Sequence, residues 1–171
     1  MPNLNLNKVL EILKRFNKRA NILILGSLAM QHYGKRSRTI NFDAEVAGVS
    51  PEVLQRYLAQ NGIPSDLGED VSRWSVISIP RGYRRRAVCI FRNEKIVVNV
   101  MAPLDLIISK LRRFSEEDIE DSIYLVNKFS ISKNEILKHA RRAIKESPKD
   151  TTVFAFRKNV GLFIEMIGKT I

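Results

Sequence analysis

The spacing of apolar positions changes character several times along the chain. From Leu4 to Arg19, residues Leu6, Val9, Leu10, Leu13 and Phe16 recur at three- and four-residue steps opposite a lysine- and arginine-rich face, which predicts an amphipathic helix. A continuous apolar run from Ile22 to Leu25 predicts a buried strand ending at Gly26-Ser27. A short helix, a basic loop and a second strand follow. In that second strand Asn41, Asp43 and Glu45 alternate with Phe42, Ala44 and Val46, so the period of two puts all three polar groups on one face. Ser50-Pro51 reads as an N-cap followed by proline at the first helical position, opening a helix that runs to Gln60 and closes near Gly62.

The pattern between Ile63 and Arg73, with Pro64, Gly68 and several acidic residues, predicts a surface loop. Three β-rich runs come next, Trp74 to Ile79, Ala87 to Phe91 and Lys95 to Met101. The last two form a hairpin across Arg92-Asn93-Glu94. Beyond Pro103 every pattern is helical. Leu104, Ile107, Ile108 and Leu111 make one stripe, and Ile119, Ile123 and Val126 a second behind a Ser115 cap. A Ser132-x-x-Glu135 capping box opens a third helix, and Val153, Phe156, Val160, Phe163, Ile164 and Ile167 mark a fourth. Strands first and helices after predict an α+β fold, with an α/β core over 1–102 and a helical subdomain over 103–171.

Charge changes the picture more than composition does. The 171 residues include 29 basic and 18 acidic ones, a net +11, and clustered Lys and Arg in such excess favour a polyanionic partner. The densest cluster is Arg81, Arg84, Arg85 and Arg86, with Tyr83 among them as an aromatic for base stacking. Lys35, Arg36 and Arg38 border the Gly26-Ser27 site and suit an incoming RNA end or a triphosphate, and Lys138, Arg141, Arg142 and Lys145 line one helix side. The lone Cys89 sits in an apolar run and reads as a small buried hydrophobe. The N-terminus lacks a signal pattern and no apolar run is long enough to span a bilayer, so a cytoplasmic location is expected. His32 and His139 are isolated, and no Walker loop or nucleophile elbow occurs.

An apolar strand ending in Gly-Ser at a helix start leaves orphan backbone N–H groups facing an anion, a phosphate site in outline. The adjacent row Asn41, Asp43, Glu45 supplies oxygen ligands of the kind that Mg²⁺-assisted phosphoryl or nucleotidyl transfer uses.

The spacing Gly26-Ser27-x-Ala29, Gly34, Thr39, Asn41-x-Asp43 resembles the signature of the nucleotidyltransferase superfamily, in its minimal and abortive-infection toxin-type branches. Pro103 to Leu111 with Lys110, followed by Asp118-Ile119-Glu120-Asp121, resembles the segment where a Lys and an Asp-x-x-Asp helix flank the nucleotide in that branch. The resemblance implies a mixed sheet with flanking helices, an NTP substrate, Mg²⁺, and an RNA or protein acceptor. Gly26, Ser27, Arg38, Thr39 and Lys110 then bind nucleotide; Asp43, Glu45 and Lys110 serve catalysis; and Asp43, Asn41, Glu45 and Asn99 are the metal ligands. Two positions depart from the signature: its first metal-binding Asp is Asn41, and its Arg falls on Ser37. The third carboxylate, expected on the Lys95 to Met101 strand, is matched by Asn99. Either catalysis is weakened or lost, or Glu45 joins Asp43 as a one-metal pair. The rival expectation is a non-catalytic nucleic-acid- or partner-binding module of toxin–antitoxin type, with the apolar C-terminal helix available for a homodimer.

Overall fold

A computed structural model describes residues 3–169. The elements are α1 (Leu6–Lys14), β1 (Ala20–Ile24), α2 (Gly26–His32), β2 (Phe42–Ala47), α3 (Pro51–Gln60), β3 (Ser65–Gly68), a 3₁₀ turn (Val71–Trp74), α4 (Tyr83–Arg86), β4 (Val88–Arg92), β5 (Ile96–Val100), α5 (Pro103–Arg113), α6 (Glu116–Phe129), α7 (Lys133–Glu146) and α8 (Thr152–Gly168). They form two compact units. One holds the described residues up to Val71 together with Arg84–Met101; the other holds Ser72–Tyr83 together with the described residues from Ala102 onward.

The first unit is built on a five-stranded mixed sheet in the order β3-β2-β1-β5-β4. β1 runs antiparallel to β2 and parallel to β5, β2 runs parallel to β3, and β4 and β5 form the expected antiparallel hairpin. The pleat sorts the side chains cleanly. Ile22, Ile24, Phe42, Ala44, Val46, Ile96, Val98 and Val100 share one face and are all buried. The opposite face carries Asn21, Leu23, Asp43, Glu45 and Asn99 in register with one another. Expected caps are present in α3, where Ser50 accepts from the Val53 N–H and Pro51 sits in the first turn.

Four expectations are corrected. α1 is shorter than Leu4 to Arg19, since the chain turns at Arg15, whose N–H caps on the Ile12 carbonyl. The stretch after Pro64 is not only loop: β3 forms by parallel pairing with β2, Phe42 opposite Ser65 and Asp43 opposite Asp66. Trp74 to Ile79 is not a strand. Its donors go to serine hydroxyls instead of a ladder, the Ile77 N–H to Ser75 Oγ, Ser78 to Ser147 Oγ and Ile79 to Ser72 Oγ. Cys89 is exposed, because β4 is an edge strand.

In the second unit, α5, α6, α7 and α8 bury Leu106, Ile107, Leu111, Leu125, Ile136, Ala140, Phe156 and Phe163. Capping boxes at Ser115 and Ser132 open α6 and α7. The Ser72–Tyr83 segment is held by Arg112, whose Nη1 donates to the carbonyls of Ser72 (3.2 Å) and Ile77 (2.9 Å). Burial lowers the guanidinium pKa to about 10, partly offset by Tyr83, so the group stays charged at neutral pH. Removing it leaves two carbonyls without their donor. Arg112→Ala is therefore expected to lose amide-exchange protection across residues 72–83 by at least tenfold while α5 to α8 stay protected; unchanged protection there would show that the serine bonds suffice.

Candidate active site

The turn from β1 into α2 is built around Gly26. Its φ of +68° is in the left-handed region, and a Cβ added there would stand 2.8 Å from Asp43 Oδ2. Register explains the approach, since the Leu25 N–H bonds the Asp43 carbonyl at 3.1 Å and puts Asp43 directly beside the turn. The Leu25 side chain gives α2 no cap, and Ser27 is half-buried next to Asp43's glycine. Gly26 and Asp43 are thus brought together, with Ser27 the next residue of the turn.

Asn41 is not simply a weaker ligand. Its Nδ2 donates to Asp43 Oδ1 at 2.8 Å and to Asp66 Oδ2 at 2.6 Å. Asp43 and Asp66 are directly opposed on parallel strands, a like-charge pair that is unfavourable unless something lies between them. The amide supplies two N–H donors, which is the one orientation that satisfies both carboxylates. Thr39 holds this arrangement in place, as its hydroxyl accepts from the Asn41 N–H and donates to the Asn41 carbonyl. Asp66 escaped notice in the sequence because β3 did; its only signal is an acidic residue three before Glu69 in a polar stretch.

Glu45 is 5% exposed and committed elsewhere: its Oε2 accepts from the Val71 N–H at 3.0 Å and its Oε1 pairs with Arg84 Nε. Arg84 also lies 3.8 Å from Asp70. Asn99 shares the sheet face but stands in Glu45's row, with Leu23 between them, and its amide donates to Asn21 Oδ1 at 3.1 Å. That leaves Asn99 two strands and one pleat row from Asp43, roughly 12 Å between Cα atoms at normal sheet spacing. Lys35, Arg36 and Arg38 lie on the loop between α2 and β2, where Arg36 and Arg38 are exposed. Of the arginine segment, Arg81, Arg84 and Arg85 are exposed and Arg86 half-buried, whereas the Tyr83 ring expected to stack on a base is 4% exposed.

In the second unit Lys110 is 5% exposed and pairs with Asp121 Oδ2 at 2.6 Å and Asp118 Oδ1 at 3.6 Å. Arg113 makes a two-pronged contact with Asp118, 2.8 Å at each oxygen. These charges explain why α6 turns Asp118, Asp121, Ser122 and Leu125 inward and leaves Ile119, Ile123 and Val126 half-buried, contrary to the expected stripe. Burial alone would raise the Asp118 pKa, but the Arg113 and Ser115 hydrogen bonds, with the Lys110 and Arg113 charges, hold it below the ordinary value of 3.8.

A hard divalent cation binds oxygens about 2.1 Å away, so its ligands sit within about 4 Å of one another. Asp43 and Asp66 share the two N–H groups of the Asn41 amide, and an N–H cannot ligate a cation. Among the described residues no group of three His, Cys, Asp or Glu side chains converges as a metal site. The donor set therefore does not fit the carboxylate-held Mg²⁺ that two-metal transfer requires.

A mixed sheet with a Gly-Ser turn entering a helix and an acidic neighbouring strand defines a nucleotidyltransferase-like fold. The chain belongs to the family described as nucleotidyltransferase of unknown function (DUF6036), whose model matches residues 4–159. No curated protein and no solved structure matches it. Among the described residues no helix is long and apolar enough to cross a membrane.

Two outcomes follow from this geometry. Gly26→Ala combines a disfavoured φ with a collision at Asp43, and should destabilise by about 2–4 kcal/mol. In an Asp43→Ala background the cost should shrink to about 1 kcal/mol, measured by urea unfolding; additive losses would mean that the two residues do not touch in solution. A depressed Asp118 pKa contributes stability that is present above the unfolded value near 3.8 and is lost as pH falls through the lower folded value. The urea midpoint should therefore drop below pH 4 more steeply in wild type than in Asp118→Asn.

Proposed function

We propose that this chain is a nucleotidyltransferase-family protein in which metal-dependent transfer is weakened or lost, and which works as a nucleic-acid-binding module. The observation that carries this reading is the Asn41 amide lying between Asp43 and Asp66. Nucleotidyl transfer needs carboxylates that offset a cation's charge while phosphates complete its shell. Here the position between the two carboxylates is filled by a neutral donor, and the second acidic side chain of β2, Glu45, is taken up by Arg84.

The binding half of the reading is supported by what remains exposed. Arg36, Arg38, Arg81, Arg84 and Arg85 are surface cations in a chain of net charge +11. Such groups hold phosphate backbones largely without regard to base sequence. Family membership makes an NTP the natural small ligand, with Gly26 and Ser27 at the turn nearest Asp43.

Asp66 favours a second reading. It is exposed, level with Asp43, and adds a carboxylate that the family signature does not account for. An amide can turn its oxygen toward a cation once both N–H groups are released, and a one-cation site on Asp43 and Asp66 would then support slow turnover.

Transfer of label from each α-³²P NTP to RNA and to the protein itself separates the two. Wild type is expected to give no label above an Asp43→Ala control, and Asn41→Asp at least tenfold more than wild type. Label transferred by wild type, lost in Asp43→Ala and not increased in Asn41→Asp would contradict the degenerate reading and support residual catalysis.

A further inference from the structure

A cavity of about 540 Å³ opens on the first unit between the start of α1 and the loop that follows α2. Ligand sites commonly fall between about 300 and 1,000 Å³, so it has room for a nucleotide-sized group. Its walls are cross-braced. Gln31 Oε1 accepts from the Leu6 N–H, and Gln31 Nε2 donates to the carbonyls of Leu4 and Ser37, each at 3.0 Å. The Leu4 N–H bonds the Thr39 carbonyl at 2.7 Å, and the Thr39 N–H bonds Asn3 Oδ1 at 2.9 Å. The start of α1 and the loop after α2 are thereby fixed to each other.

The lining chemistry is one-sided. Lys35, Arg36 and Arg38 contribute cations and no acidic residue lines the cavity. Neither Arg36 nor Arg38 has a partner among the described residues. Asn3, Asn5 and Asn7 also face it. Asn3 and Asn5 use only their carbonyl oxygens, on Thr39 and Asn7 N–H groups, so their NH₂ groups are uncommitted among the described residues, as is the whole Asn7 side chain. Ser37, which stands where the family signature has Arg, lies on the wall at 8% exposure with its hydroxyl unbonded. The helix behind is α1, whose N-terminal dipole adds positive potential.

We propose that this cavity is the anchoring site for a phosphate of a single RNA strand, with the guanidinium groups of Arg36 and Arg38 on the phosphate and the asparagine amides on the adjoining ribose or base edge. The Asn7 amide presents donor and acceptor together beside the Asn3 and Asn5 NH₂ groups, which suits 2′-hydroxyls and base edges and is superfluous for an inorganic anion. Guanidinium forks match phosphate oxygens two at a time. Arg38 on the cavity wall is followed in the chain by Thr39, whose hydroxyl holds Asn41, so the cavity is joined through this short stretch to the Asp43–Asp66 pair. This inference rests on the nucleic-acid-binding reading above and names where that binding is centred.

The test is fluorescence anisotropy of a labelled, 5′-phosphorylated ten-nucleotide RNA with full-length protein. Asn7→Asp is the informative variant, since a carboxylate in the first turn favours α1 and should leave folding intact while repelling an anion. Arg36→Ala/Arg38→Ala is the second. Each should weaken binding at least tenfold and flatten the dependence on salt, with unchanged circular dichroism, while Arg157→Ala, which removes an exposed cation from α8, binds like wild type. Binding within twofold of wild type in both pocket variants, but reduced in Arg84→Ala/Arg85→Ala, would overturn the pocket and leave the broader reading standing. No binding by wild type would sink both. Displacement of the RNA by millimolar ATP, with ATP's own binding weakened in Asn7→Asp, would assign the cavity to a free nucleotide and overturn the strand.

Discussion

The site depends on a like-charge contact that parallel pairing cannot avoid. β2 and β3 place Asp43 opposite Asp66, and two carboxylates at that separation repel unless a cation or a pair of donors lies between them. In this chain the donors belong to Asn41. Everything nearby follows from that choice. Thr39 fixes the Asn41 backbone, Gly26 must lack a Cβ because Asp43's second oxygen occupies that space, and the turn into α2 takes a left-handed residue at its first position. A single amide thus offsets the repulsion between the two carboxylates, where a third carboxylate in its place would add to it.

The same logic separates Glu45 from its neighbours. It shares their sheet face, yet a buried carboxylate needs a full set of partners, and Val71 N–H and Arg84 meet that need. Arg84 in turn anchors the start of the arginine-rich stretch that leads into β4. Glu45, expected from the sequence as a metal ligand, thereby also helps hold the basic stretch in place. Lys110 shows the parallel case in the second unit, where it sits in a buried cluster with Asp118 and Asp121. Breaking such a cluster from one side commonly costs about 3–5 kcal/mol, so the fold itself constrains its residues.

Much of the architecture could be read from the sequence because local signals agreed with one another. Ser50-Pro51, Ser115, Ser132 and Pro103 mark helix starts that the structure keeps, and the period of two in Phe42–Ala47 fixes the faces of β2. What was hidden depends on tertiary partners. β3 is four residues of Ser-Asp-Leu-Gly with little strand propensity, and it exists because β2 offers it an edge. Asp66 was invisible for that reason. Trp74 to Ile79 misled in the opposite sense, since its alternation suits a strand but its backbone donors are met by serines, one of them from the end of α7. The polar inward face of α6 was likewise concealed, because nothing local shows that Asp118 and Asp121 would find Lys110 and Arg113.

The central claim is that Asn41 takes the place a cation would occupy between Asp43 and Asp66. The most direct test is Mn²⁺ binding followed by electron paramagnetic resonance, in wild type and in Asn41→Asp. The account predicts binding at least tenfold tighter in Asn41→Asp, abolished when Asp43→Ala is added. Wild-type protein that binds Mn²⁺ as tightly as Asn41→Asp would contradict it.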